Sequence, residues 1–310
     1  MRSLLTILIA TWNRRKDLEK LLSVLAPQLA NEPDVNVVIS NNGSTDDTAQ
    51  LLRSFENGQR VRIVHQPCNL GLDLHLAWLF GQATGQFLWM IGDDDMMEPD
   101  LLELVCAELR SHPELGWIHL PGTYQLPLGP VLTRCPLGRE RERKARDLFA
   151  QYISWTGWIT ANVSRTELIQ ACIPSITLRN SWWMQELLMK GVADAPAVVL
   201  PFRKLVAGKD ITWSVKRHDV VIRQIPQMIL DCQFLTAKEQ TACLRQRYAE
   251  LPTELFELLK LSPWLFFQVV ARCPERVADW RFLKHSAREP LRLLYRRWIK
   301  PPLHVGHGRE

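Results

Sequence analysis

The sequence has no Cys-x-x-Cys pair, although it holds seven cysteines, at 68, 106, 135, 172, 232, 243 and 273. An odd, scattered set excludes a regular disulfide framework and a cysteine-based zinc site, and it predicts reduced thiols in a cytoplasmic protein. Nor does any stretch approach the roughly 18 consecutive apolar residues that a membrane-spanning helix needs. The longest candidate, WLFFQVVA from Trp264, is far shorter. The opening MRSLLTILIATWNRRK has a short apolar run but lacks a small-residue cleavage site. It therefore reads as a first buried strand rather than a signal peptide. Internal repeats and a Gly-rich phosphate loop are also missing.

A general excess of positive charge is absent too. The net charge is +5, but residues 271–310 carry ten Lys/Arg against four Asp/Glu, a balance of +6. The first 270 residues therefore sum to −1. A nucleic-acid-binding surface is not indicated, because such surfaces need clustered basic residues across the domain.

What is present is an alternation. LLTILIA, VNVVIS, VRIVH, QFLWMI and GWIHL are short apolar runs of the kind expected for strands buried on both faces. Between them lie amphipathic stretches. Leu18, Leu21, Leu22, Leu25 and Leu29 recur at helical spacing, and STDDTAQLLRSF places Leu51, Leu52 and Phe55 on one side. Strand and helix in turn, with short connections, predict a mostly parallel, Rossmann-like sheet with helices on both faces. Ligands of such sheets bind beyond the carboxyl ends of the strands. Asn41-Asn42 and Asp93-Asp94-Asp95 both follow strands on that edge.

Beyond residue 121 the pattern loosens. PGTYQLPLGPVLTRCPLG reads as a surface loop, and RERERKAR as a solvated face or a mobile lid. NSWWMQELLMKG predicts a helix ending at Gly191, and AVVLPF a further strand. From Arg223 onward the chain reads as helices broken at Pro226, Pro252, Pro263 and Pro274.

The three aspartates allow two readings. Adjacent carboxylates suit a hard cation, Mg²⁺ or Mn²⁺, whose remaining positions would be filled by water and diphosphate oxygens. The same residues could instead cap the helix after Pro99. Neighbouring motifs favour the first. ILIATWNR, VVISNNGSTDDT, NLG and GDDDMMEP, in that order, resemble the GT-A glycosyltransferases of family 2 over about residues 3–120. That resemblance implies a nucleotide-sugar donor, a divalent metal and inverting glycosyl transfer. By position it implies donor contacts from Thr11, Trp12, Asn13, Arg14, Asn41, Asn42, His75 and Asp93. Asp94 and Asp95 would be the metal candidates. Trp12 would lie against the nucleobase, with a core position as the competing reading. Asp46 and Asp47 read as helix caps.

Two departures stand out. Family members carry paired aspartates where this chain has Asn41 and Asn42. An amide offers a donor and an acceptor together, which suits cytosine or guanine at least as well as uracil; the competing reading is an Asx turn. The Glu-Asp motif that supplies the family's general base is missing as well. Glu186 in WWMQELL is the first candidate for that role and Asp210 in GKDITWS the second. Trp155, Trp158, Trp182 and Trp183 are candidates for an acceptor pocket, because sugar C–H patches pack on aromatic faces.

The tail REPLRLLYRRWIKPP gathers Leu291, Leu294, Tyr295 and Trp298 on one helical side with arginines around them. Such a helix can lie on an anionic membrane or pack on its own domain. The expected organisation is a GT-A domain over 1–220, with a donor part (1–120) and an acceptor part (121–220). A helical extension, a candidate for membrane association, occupies 221–310. The expected function is metal-dependent transfer of a sugar to a saccharide or lipid-linked saccharide, in the cytoplasm or on the inner face of the cell membrane. The alternative is a catalytically inactive GT-A-like scaffold.

Overall fold

The computed structural model describes residues 2–55, 60–126, 129–132, 135–178, 182–208, 223–250, 258–259 and 262–272. Strand β1 (Leu5–Thr11) lies between β2 (Val35–Asn41) and β4 (Phe87–Gly92), with β3 (Val61–His65) beyond β2, all four parallel. Alternate residues of β1 feed two cores. Leu5, Ile7 and Ile9 join one face, and Leu8 the other. This is why the strand's sequence is apolar without a break.

Helices cover both faces, as the alternation predicts. α1 (Arg15–Asn31) and α4 (Leu101–Ser111) pack on one face through Leu18, Leu21, Leu25, Leu102 and Val105, beside the short α2 (Thr48–Arg53). α3 (Leu72–Phe80) packs on the other through Leu76, Leu79 and Phe80. Each such buried side chain contributes roughly 1.5–3 kcal/mol of transfer free energy, offset by the entropy of ordering the chain.

The second half does not form a separate layer. β6 (Trp117–His119) and β11 (Ala197–Val199) pair in parallel, and β10 (Asn162–Arg165) fits antiparallel between β4 and β6. A smaller sheet has the order β5 (Met96–Met97), β12 (Leu205–Val206), β7 (Gly122–Leu126) and β8 (Gly129–Leu132). The stretch expected to be a surface loop therefore contains strands. The charge run also supplies one, β9 (Glu140–Glu142), on the sheet edge beside β11. Its arginines are structural: Arg139 and Arg141 both reach Glu108, a carboxylate only 5% exposed. Strict alternation of charges hides a strand from any hydrophobic period.

Helices α5 (Arg146–Tyr152), α6 (Thr166–Cys172) and α7 (Trp183–Val192) follow, then α8 (Ile225–Asp231), α9 (Ala237–Glu250) and α10 (Pro263–Arg272). Met228, Ile229, Leu244 and Phe266 of the last three share the core that holds α3 and α7. Among the described residues no helix is long and apolar enough to cross a membrane. Asp210 and the basic tail from residue 273 lie outside the described residues.

Candidate active site

The acidic stretch begins where β4 ends, at the carboxyl edge of the parallel strands, and its three carboxylates have three different environments. Asp94 is the most accessible, its side chain 23% exposed, and the Arg14 guanidinium stands 2.6 Å from its Oδ2. Asp93 is buried and 3.8 Å from the same guanidinium. Burial pushes its carboxyl up to about 7 despite the pull of Arg14. Asp95 points inward. Its Oδ1 accepts the Gly208 N–H at 2.9 Å, and its Oδ2 accepts from Trp158 Nε1 at 2.9 Å and from the Thr160 hydroxyl. Burial raises it to about 6, against these three donors.

Asp95, expected as a second metal ligand, thus has both carboxylate oxygens hydrogen-bonded to protein donors. Its oxygens are engaged by a 3-10 turn, Ile159–Ala161, and by the loop after β12. Gly208, two residues past β12, also presses on the site: a Cβ there would lie 2.3 Å from Cγ of Asp94. Lys204, just before β12, bonds Glu98 at 2.9 Å and Asp100 at 2.8 Å, and Glu98 N–H donates to the Lys204 carbonyl at 2.9 Å. The acidic turn is thus pinned from both sequence neighbours and distant loops. Thr160 and Gly208 carry no local sequence signal of this role.

Beside it, the loops after β1 and β2 are stapled together. Asn13 adopts the left-handed region at φ 53°, which asparagine tolerates well. Its N–H donates to Ser44 Oγ at 2.9 Å, and its Oδ1 accepts from Thr45 N–H at 2.7 Å. Thr11 accepts the Asn42 N–H at 2.9 Å through its carbonyl. The Asn42 amide bonds Asn69 Oδ1 and the Leu70 N–H, each at 3.0 Å, and so holds the N-x-G turn. Asn41 closes an Asx turn on Ser44. Trp12, by contrast, is 49% exposed at the strand end.

Other expected contacts move. His75 is buried with Nε2 2.7 Å from Ser40 Oγ, and burial lowers its basicity. Its ring supports the end of β2 through Ser40. Trp158 and Trp183 are buried rather than lining an acceptor surface. Trp183 Nε1 donates to Asp73 Oδ1 at 2.9 Å, joining the first turns of α7 and α3. Trp182 does meet the Trp155–Trp158 segment, its ring 3.0 Å from a Cβ built on Gly157. Glu186 lies in α7 near Cys232, whose thiol is pushed up by burial and then by that carboxylate. Asp73, half-buried in α3 just past the N-x-G turn, was not singled out by the sequence motifs.

A parallel sheet carrying an acidic turn on the edge of its central strands, under a pinned loop, defines the GT-A class of nucleotide-binding folds. Residues 6–149 match the sequence model described as Glycosyl transferase family 2. It is 30% identical over 114 residues to the abequosyltransferase RfbV of Salmonella typhimurium, a match covering 36% of this chain and 34% of that protein. The chain thus aligns with about a third of that relative's length. Among solved structures, Staphylococcus aureus TarS 1-349 in complex with UDP-GlcNAc matches with TM-score 0.64 and 18% identity, over 88% of this chain and 80% of that one. The mannosyltransferase PcManGT of Pyrobaculum calidifontis, in complex with GDP-Man and Mn²⁺, matches with TM-score 0.56 and 16% identity, over 96% and 83%. At these identities the structural likeness establishes the fold.

Proposed function

We propose that this chain transfers a hexosyl or deoxyhexosyl group, with inversion, from a nucleoside-diphosphate sugar to a saccharide or lipid-linked saccharide in bacterial surface polysaccharide synthesis. One observation carries the reading. Among the described residues Asp93 and Asp94 meet a single guanidinium, Arg14, at the carboxyl edge of the sheet, one positive charge against two carboxylates.

That imbalance fits a hard divalent cation, Mn²⁺ or Mg²⁺, and the oxygen donors are of the right kind. Among the described residues no group of three or more His, Cys, Asp or Glu side chains forms a protein-only cage. Asp94, with Asp93 beside it, would hold the ion and leave its other positions to diphosphate and water. A bound cation supplies the charge that stabilises a departing diphosphate. Arg14 would then turn from Asp94 to a phosphate, with which guanidinium groups make paired hydrogen bonds. Support of a coarser kind comes from the neighbours: one was crystallised with UDP-GlcNAc and another with GDP-mannose and Mn²⁺.

For the base, Glu186 and Asp73 are the two carboxylates on the first turns of α7 and α3. Glu186 stands near Cys232, in the core shared with the C-terminal helices, whereas Asp73 stands at the carboxyl edge beside the turn held by Asn42. Asp73 is the better placed to take the proton of an acceptor hydroxyl as the anomeric carbon–diphosphate bond breaks. Trp155 and Trp182 remain the aromatics proposed to face the acceptor.

Mn²⁺-dependent release of nucleoside diphosphate from a panel of nucleotide sugars tests the reading. Binding of nucleotide without any turnover would favour a scaffold instead. Membrane association is tested by flotation on anionic liposomes with and without residues 286–310; loss of flotation on truncation is expected.

A further inference from the structure

Strands β4 and β10 run antiparallel, with Val163 opposite Trp89, Ser164 opposite Leu88 and Arg165 opposite Phe87. Continued toward the acidic turn, that register sets Thr160 opposite Gly92. The backbone does not continue it, because Ile159–Ala161 forms a 3-10 turn. The Thr160 side chain takes the place of the missing ladder bond, and its Oγ1 accepts the Gly92 N–H at 2.9 Å. A backbone N–H can only donate, so the hydroxyl hydrogen is left for Asp95 Oδ2, to which it donates. The Thr160 carbonyl accepts from Trp89 Nε1 at 2.8 Å. Thr160 is thus tied to residues 89, 92 and 95. It is fully buried, so water does not compete for these bonds.

Gly92 and Asp95 are the two ends of a tight turn. The Asp95 N–H donates to the Gly92 carbonyl at 3.2 Å. The Asp95 carboxylate folds back so far that a Cβ on Gly92 would lie 2.8 Å from its Oδ2. Asp93 and Asp94 are the residues between. Where the Asp94 carboxylate stands is therefore set by the ends of the turn, and the Thr160 hydroxyl bonds both ends. A hydroxyl suits the place because it accepts and donates through one atom; a valine of the same shape does neither.

We infer that Thr160 is a positioning residue for the cation: its hydroxyl holds the Gly92–Asp95 turn at the span that presents Asp94 to a divalent metal. This rests on the cation reading proposed above. Thr160 acts through Asp94 and needs no contact with the ion. A ligand must be held within about 0.5 Å of its productive place, and a bond lost at both ends of so short a turn frees its middle to move on that scale. Removing a partner that orients a metal ligand typically weakens metal binding about 10–100-fold.

Titration of the full chain with Mn²⁺ alone, read by the electron paramagnetic resonance of the free ion, tests the role. Thr160→Val leaves the Gly92 N–H without its acceptor, and it is expected to weaken Mn²⁺ binding about tenfold or more. Thr160→Ser restores the hydroxyl and is expected to bind Mn²⁺ within about threefold of the wild type, which a loss of packing alone would not allow. Circular dichroism establishes that each variant is folded. Thr160→Ala, with no methyl set against the Gly92 N–H, carries the same test should the valine variant fail to fold. Equal Mn²⁺ affinity without the hydroxyl, or a loss in Thr160→Ser as large as in Thr160→Val, overturns the positioning role while the cation reading stands. No uptake of Mn²⁺ by the wild-type chain defeats the cation reading itself, and the role of Thr160 with it.

Discussion

The indole N–H of Trp158 lies 2.9 Å from Oδ2 of Asp95. This bond joins an aromatic that the sequence places at the acceptor to a carboxylate that it places on the metal, and it turns both inward. Neighbouring aspartates should then respond differently to the same change. In Asp95→Asn an amide N–H must face at least one of the donors Trp158, Thr160 and Gly208. The expected loss in urea denaturation is about 1–3 kcal/mol. Asp94→Asn is expected to cost about 1 kcal/mol or less in stability, because its ion pair with Arg14 is partly solvated. It should instead abolish the Mn²⁺ dependence of nucleotide binding. Equal stability losses would show that the two carboxylates do not divide the work in this way.

Gly208 tests the same arrangement from the other loop. An added methyl would stand 2.3 Å from Asp94 Cγ, so Asp94 or the loop must shift. Gly208→Ala is expected to weaken Mn²⁺-dependent nucleotide binding about tenfold or more. The melting temperature is expected to fall by only a few degrees. Unchanged binding would mean that the loop yields freely.

Asp73→Asn keeps an oxygen for the Trp183 N–H while removing the basic carboxylate. Turnover of a nucleotide sugar is expected to fall on the order of 100-fold or more, with nucleotide affinity unchanged. Glu186→Gln, in parallel, is expected to leave turnover within a few fold. The reverse pattern would return the base to α7.

His119 offers a pH test away from the site. It is fully buried between Tyr152 and Trp117, with ring centroids 5.2 and 5.6 Å away, and burial lowers its pKa from 6.5 to about 4. The unfolded chain takes up a proton there before the folded one does. The contribution of His119 is therefore complete above pH 6.5 and is lost as pH falls toward 4, by up to about 3 kcal/mol. Denaturation midpoints between pH 7 and 4.5 should show this slope in the wild type and a shallower one in His119→Gln.

The parallel half of the molecule is legible in the order of its residues. Runs such as LLTILIA and QFLWMI are apolar on nearly every residue because both strand faces are buried, and the leucines of α1 repeat at helical spacing because one helix face is. These are local consequences of burial, so they survive in a linear reading, as does the placing of Asp93 to Asp95 after a strand. The partners of those aspartates come from folding. Asp95 is claimed by Trp158, Thr160 and Gly208, residues 63, 65 and 113 positions away. Asn41 has its amide turned by Ser44 and by His65 from the neighbouring strand. The strand β9 was hidden for the same reason. Its charges are answered by Glu108, brought beside them only by folding. A hydrophobic period records how a segment meets the core, but hydrogen-bond partners of a polar side chain come from wherever the fold brings a donor within about 3 Å.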